Sequence, residues 1–485
     1  MSQKQNKTDY TTGMITRIHH GTVRHKNRHA LLYQVIMLFA CILTIFFINK
    51  HSVITFAFFL AAIGFLQRFI PRNRTSYQNL MFSFIFYTVI MLAIFLAQLY
   101  VLPDWDGLSG PEGGIGTDDC FFYSQATDDL VFSRNGAARA VWSNMHHYSL
   151  FLRGVASFIR IFYTPHLLDL LILNTFALAF IPILCSLCIR TCFPIPTRQN
   201  RAMETTAFWL AMIYPNFWAN GLILIRDGWT ATLFILAIYL LLKLKLHRYI
   251  LVLAVLSFFR MASAISLVAC SIPIAWPTIK QKTKKYAPVI MGAMGVIALG
   301  TVAVAVLSGY VQSKNISFMR GDYVQGFMAK AADQKSGTSI LYTISNLPFY
   351  MRIPLSFIFF MCAPFVNLHV VKEGIFVPRY AIASITGILN IILIKYWTQS
   401  FVTAYKKWRY GHYDIIIHIH LAYITGIFLV STMSLQMRHK TMLIPLLCIV
   451  AAHGSNVSDI NAKRIGNFAM LFLLSINMAS IVLRM

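Results

Sequence analysis

The stretch GPEGGIGTDDC, Gly110 to Cys120, sets two adjacent carboxylates, Asp118 and Asp119, in a chain that is otherwise apolar and basic. Asp104, Asp106, Glu112, Asp128 and Asp129 surround the pair, so seven of the sixteen carboxylates fall within 26 residues. Adjacent acids suit three tasks. A carboxylate can take the proton from a hydroxyl as that oxygen attacks carbon. It can hold a divalent cation through oxygen ligands. It can also serve structure alone, keeping a loop soluble or capping a helix, here the apolar run that begins DDCFFY. The glycines permit a tight turn just before the pair. Composition alone leaves capping and catalysis side by side, because clustered acids mark sites only statistically.

A second set of polar residues lies among or at the ends of apolar runs. It comprises His146 and His147, Arg226 with Asp227, Arg260, Arg320 with Asp322, and Arg438 with His439. Charge so close to hydrocarbon is expensive, so these groups are expected to face one another or a wet cavity. For any single Arg the plain alternative is snorkelling to the headgroups. Asp118 and Asp119 are too short for that. Asp169, Glu204 and Asp414 fall near span ends, where capping or contact with water accounts for them. Cys185, Cys188 and Cys192 have a tempting spacing but no His or acid beside them, and read as small buried hydrophobes rather than a metal site. Cys120 lies in an outer loop with no outer partner, which argues against a disulfide.

These residues need a scaffold, and composition names its class. The chain has 485 residues, 57% hydrophobic and 12% charged. A soluble globular protein carries about 25% charged residues. Apolar runs of roughly 17–25 residues recur, each long enough to cross a bilayer as a helix. The fold expected is all-α and polytopic, one integral membrane domain over 1–485. The polar, basic residues 1–29 lack the apolar core and cleavage site of a signal peptide and read as a cytoplasmic tail. The net charge of +26 sits in short loops between spans, so topology and anionic headgroups explain it and nucleic acid is not needed.

The positive-inside rule then threads about thirteen spans. They fall near 30–49, 52–67, 79–101, 166–188, 205–222 and 229–242. Two more occupy Tyr249 to Ile279, meeting outside at Arg260, and others lie near 287–309, 380–397, 412–432, 441–453 and 465–483. Residues 102–165 and 310–349 become outer loops. The second, basic and polar, reads equally as a lid or as a solvated linker. The segment 353–366, with Pro354 and Pro364, reads as re-entrant, which keeps KKWRYGH (Lys406 to His412) inside. Between Ala140 and Tyr163, Trp142, Met145, Phe151, Val155, Phe158 and Phe162 recur at helical spacing among polar residues. This predicts an amphipathic helix lying on the outer membrane surface.

An acidic pair in the first large outer loop, ahead of an amphipathic helix, resembles the GT-C glycosyltransferases and the bacterial surface-polysaccharide enzymes of that group. Three further stretches are similar to them: YPNFWANGLILIRDGW (Tyr214 to Trp229), FFRMAS (Phe258 to Ser263) and MRHKTMLIPLLCIVAA (Met437 to Ala452). The resemblance covers most of the chain by layout, through short motifs. It implies an enzyme of the plasma (inner) membrane whose donor is a polyprenyl-(pyro)phosphate-linked sugar and whose acceptor is a glycan. Asp118 or Asp119 would be the general base. Arg226, Arg260, Arg320, Arg438 and His439 would steady the departing phosphate, a large catalytic term in a dry site. No cofactor is implied, and a divalent metal is allowed but not required. An oligosaccharide repeat-unit polymerase is the alternative within the enzyme class. A lipid-linked oligosaccharide flippase is the alternative outside it, although no paired halves of the kind common in transporters are visible.

Overall fold

The computed structural model describes residues 31–70, 79–101, 118–128, 144–282, 349–363, 366, 371–372, 375–376, 378–412, 414–433 and 437–482. Arg320, the second outer loop and the expected span at 287–309 lie outside these residues. The described chain is helical apart from a two-residue antiparallel ladder, Val371–Lys372 with Ile375–Phe376.

Among the described residues four helical stretches are long and apolar enough to cross a membrane, which marks a membrane protein: Leu31–Ile48 (α1), Ser52–Phe69, Leu80–Ala97 and Leu167–Cys192. The second is helix α2 (Ser52–Leu66) and a short 3-10 turn, and the third belongs to α3 (Leu80–Val101). The fourth is built from α6 (Leu167–Leu178) and α7 (Phe180–Cys192). Between them stand α4 (Asp118–Thr127) and α5 (Asn144–Arg160).

The next elements are α8 (Arg198–Ile213), α9 (Pro215–Gly221), α10 (Asp227–Leu242), α11 (Leu246–Phe259) and α12 (Met261–Lys282). The break expected at Arg260 is present. Arg260 is extended, with φ −163° and ψ 101°, and separates α11 from α12. The single span expected at 205–222 is instead two helices. Pro215 disfavours helical backbone in the residue before it, and Tyr214 is accordingly extended at φ −71°, ψ 112°.

The C-terminal part comprises α13 (Phe349–Cys362), α14 (Pro378–Arg409), α15 (Ile415–Met433), a 3-10 turn over Met437–Leu443, α16 (Ile444–Ser455) and α17 (Ile460–Val482). At 14 residues, α13 is about 21 Å long, short of the roughly 30 Å hydrocarbon core. By contrast α14 is continuous for 32 residues, about 48 Å, and overruns the expected 380–397 at its C-terminal end.

Most of the core is one apolar cluster running from Cys41 to Ala452, with Cys185 and Cys188 wholly buried within it, and Ile391, Ile394 and Leu473 form a small second cluster between α14 and α17. Close backbone approach holds α14 against its neighbours. A Cβ on Gly454 would lie 1.8 Å from the carbonyl oxygen of Tyr396, and one on Gly466 would lie 2.8 Å from that of Lys395. Small residues allow this spacing where lipid supplies no hydrophobic drive between helices.

The amphipathic helix is α5, and part of its apolar surface packs on protein. Tyr148, Leu152, Ala156 and Ile159 are buried against protein. Phe158 is about half exposed, and Ile161 and Phe162 just beyond the helix are exposed as well. One stripe therefore packs inward while the aromatic end looks outward. Trp142 lies outside the described residues.

Candidate functional site

The polar centre forms where α10 begins and α11 ends. Asp227 is the first residue of α10, where the positive end of the helix dipole favours a carboxylate. Arg260 donates from Nη1 to Asp227 Oδ1 at 2.5 Å, and both side chains are largely buried, 12% and 4% exposed. Arg226 donates from Nη1 to the Phe259 carbonyl at 3.4 Å, placing its charge on the carbonyl end of α11. His147 reaches the same end: its Nδ1 lies 2.9 Å from the Phe258 carbonyl, and its ring stacks on Phe258 at 4.4 Å.

Arg438 and His439 enter from the 3-10 turn that packs on α10. Burial first, then the charges of Arg260, Arg438 and Arg226, hold the His439 imidazole down at about 2. Three guanidiniums therefore lie within electrostatic reach of one imidazole. These surroundings favour the neutral form of the imidazole over the charged one.

Asn174, inside α6, locks the centre together. Its Oδ1 accepts from Tyr148 OH at 3.0 Å and from Trp229 Nε1 at 3.1 Å. Its Nδ2 donates to the carbonyls of Ile223 at 2.7 Å and Ile225 at 3.3 Å. One buried amide thus ties α5, α10 and the loop that presents Arg226. Rings fill the space between: Trp229 stacks on Phe259, and Phe151 meets both edge-on. Tyr148 lies within reach of Asp227 and Arg226, and its burial raises the phenol above its ordinary range.

The acidic segment joins through α5. Asp118 and Asp119 are the first two residues of α4, one helical turn before Phe122. Phe122 packs edge-on against Tyr148 with ring centroids 4.9 Å apart. At the other end of α4, Arg153 donates to the Gln125 carbonyl at 3.5 Å, and Arg160 donates to the Thr127 carbonyl. These arginines satisfy carbonyls that a helix C-terminus leaves open. The side chains of Asp118, Asp119 and His146 lie outside what the structure describes.

Of the sequence candidates, Arg226, Asp227, Arg260, Arg438, His439 and His147 come together. Tyr148, Asn174 and Trp229 were missed, although an Asn inside the apolar run LLILNTFAL was a visible signal. Lys440 was missed as well. It does not snorkel; it is 1% exposed. Its Nζ donates to the carbonyls of Phe360 at 2.8 Å, Met361 at 3.3 Å and Ala363 at 2.7 Å, at the C-terminal end of α13. Burial pushes this ammonium down to about 7, and the three carbonyls supply acceptors for its charge.

The three acids near span ends are all buried and paired. Asp169 Oδ2 accepts from the His166 backbone at 2.8 Å. Glu204 pairs with Arg190 at 2.9 Å and Asp414 with Lys407 at 3.0 Å. Among the described residues no group of three or more His, Cys, Asp or Glu is placed to hold a metal. The chain matches no known protein family, no curated protein and no solved structure.

Proposed function

We propose that the protein moves a sugar from a polyprenyl-(pyro)phosphate carrier to a glycan acceptor at the outer face of the membrane, as a GT-C-type glycosyltransferase of surface-polysaccharide assembly. The observation that supports this reading is the gathering of Arg226, Arg260 and Arg438 around His439 and Asp227, with the N-terminal half of the amphipathic helix α5 packed beside them. Guanidinium groups match phosphate oxygens in geometry and charge. An apolar surface helix next to them suits a substrate whose tail stays in lipid.

On this reading the chain is a multi-pass protein of the plasma (inner) membrane, with about thirteen spans and a cytoplasmic N-terminus. Asp118 or Asp119 accepts the proton of the acceptor hydroxyl as it attacks the anomeric carbon. The arginines steady the phosphate as it departs. His439 begins neutral and takes on positive character only when an anion offsets the three arginines. No cofactor enters the scheme.

The test is surface polysaccharide in cells carrying Asp118→Asn or Asp119→Asn, with membrane protein level measured in parallel. Loss of polymer at normal protein level is the expected outcome. The size of the lipid-linked intermediate that accumulates separates single-sugar transfer from repeat-unit polymerisation. Normal polymer in both variants returns the pair to helix capping and rejects the general-base assignment.

A further inference from the structure

At the end of α16 opposite the arginine centre, three helices bring together residues that sequence separates by 20 and 53 positions. Ser400 of α14 sits between two imidazoles. Its Oγ lies 2.9 Å from His453 Nδ1, on α16, and 2.8 Å from His420 Nε2, on α15. Ser400 and His420 are wholly buried, whereas His453 keeps 7% exposure. The approach permitted by Gly454 is what brings α16 close enough for this contact.

Ion pairs surround the His453 end. Lys407–Asp414 lies within electrostatic reach of His453, and Cys192 lies within reach of Asp414. Lys406–Asp459 and Arg190–Glu204 complete this charged rim. The Phe193 ring stacks on His453.

Beyond His420 the polar groups continue without protein partners. His420 Nδ1, Trp397 Nε1, Tyr423 OH and Tyr214 OH are all buried and unpaired. Trp397 meets His420 edge-on at 5.5 Å, Tyr423 follows His420 by one turn of α15, and Tyr214 lies within electrostatic reach of Tyr423. Two residues past Tyr214, Asn216 donates to Thr441 at 2.9 Å, and Thr441 is two residues from His439. Native interiors pair nearly all such groups, so a run of orphans calls for internal water.

We propose that Ser400 joins His453 and His420 into a proton relay, and that this relay is one half of a polar thread conducting protons through the bundle past Tyr423 and Tyr214. A serine hydroxyl has one proton, so one imidazole nitrogen facing it must donate while the other accepts. In the first state His453 Nδ1–H donates to Ser400, Ser400 donates to His420 Nε2, and His420 Nδ1 carries a proton inward. A proton arriving on His453 Nε2 displaces the Nδ1 proton to Ser400. Ser400 passes its own to His420 Nε2, and His420 releases the Nδ1 proton to the water beyond. The second state has every hydrogen bond reversed and no atom lost, and ring reorientation or the reverse passage restores the first.

The test uses the full chain in liposomes that hold an impermeant pH dye, with a potassium gradient and valinomycin setting the potential. Wild-type vesicles should change internal pH several-fold faster than protein-free ones. Ser400→Ala and His420→Gln should both fall to the protein-free rate, while Ser400→Thr, which keeps a hydroxyl, should stay near wild type. Gln at 420 can still hydrogen-bond Ser400 but cannot relay a proton, so it decides the matter if Ser400→Ala fails to fold. Wild-type flux equal to protein-free vesicles, or full flux in His420→Gln, overturns the proposal. No sugar or carrier lipid enters this assay, so its outcome is independent of the transferase reading.

Discussion

Cutting the Asp227–Arg260 contact from one side should cost more than removing it from both. The pair is 2.5 Å apart, with side chains 12% and 4% exposed, so neither charge has bulk water to fall back on. Arg260→Met leaves a buried carboxylate, relieved only by the start of α10, worth about 0.3–1 kcal/mol, and by nearby guanidiniums. Asp227→Asn leaves Arg260 among Arg226, Arg438 and a neutral His439. Each single change should destabilise by about 3 kcal/mol, the lower end for a broken buried pair. The double variant removes both desolvation costs and should cost no more than either single, a coupling of about 3 kcal/mol. The readout is the thermal midpoint of the detergent-solubilised chain followed by size-exclusion fluorescence, ranked at one heating rate because unfolding of such proteins is often irreversible. A double variant that falls by the sum of the two singles would refute the coupling and reduce the contact to incidental neighbours.

His439 is held at about 2 when folded and returns to about 6.5 when unfolded. Between these values the unfolded chain binds a proton that the folded chain refuses, so stability falls as pH drops below 6.5 and is unaffected above it. The loss should reach about 2 kcal/mol by pH 5, and His439→Gln should reduce the difference between midpoints measured at about pH 7.5 and about pH 5. If the variant keeps the full acid sensitivity, the effect belongs to another group. Gly454→Ala would place a carbon 1.8 Å from the Tyr396 carbonyl and should abolish folded protein, whereas Gly154→Ala in α5 meets nothing within 4 Å and should stabilise by about 0.5–1 kcal/mol. Comparing membrane yield and midpoint of the two variants checks both.

What the sequence disclosed was local and periodic. A lone Arg260 in the apolar run from Tyr249 to Ile279 announced a helix break, and α11 and α12 meet there. Helical spacing between Ala140 and Tyr163 announced α5. Its inward face was not legible, because α5 has two apolar surfaces. Tyr148 and Leu152 serve the protein, and Phe158 serves the surroundings. A hydropathy pattern cannot tell such surfaces apart. The same blindness merged α8 and α9, since Tyr214 interrupts the helix without changing hydropathy. It also cut α14 short, because Lys406 and Lys407 look like a loop while their partners Asp459 and Asp414 come from other elements.

The arginine centre was half legible for a related reason. Arg226, Asp227, Arg260, Arg438 and His439 stood out because charge is rare in this chain. Their organiser, Asn174, is a neutral residue in mid-helix. Removing it would leave four polar groups from three elements without their shared partner, two of them backbone carbonyls that hold Arg226 in place. The acidic helix depends on the same node at one remove, because Phe122 rests on the ring whose hydroxyl Asn174 receives. A change felt by Tyr148, whether from lipid pressing on α5 or from a ligand among the arginines, therefore has a packed route to the helix that begins with Asp118 and Asp119. The arginine centre and the helix that begins with Asp118 and Asp119 are thus linked through one phenol and one amide.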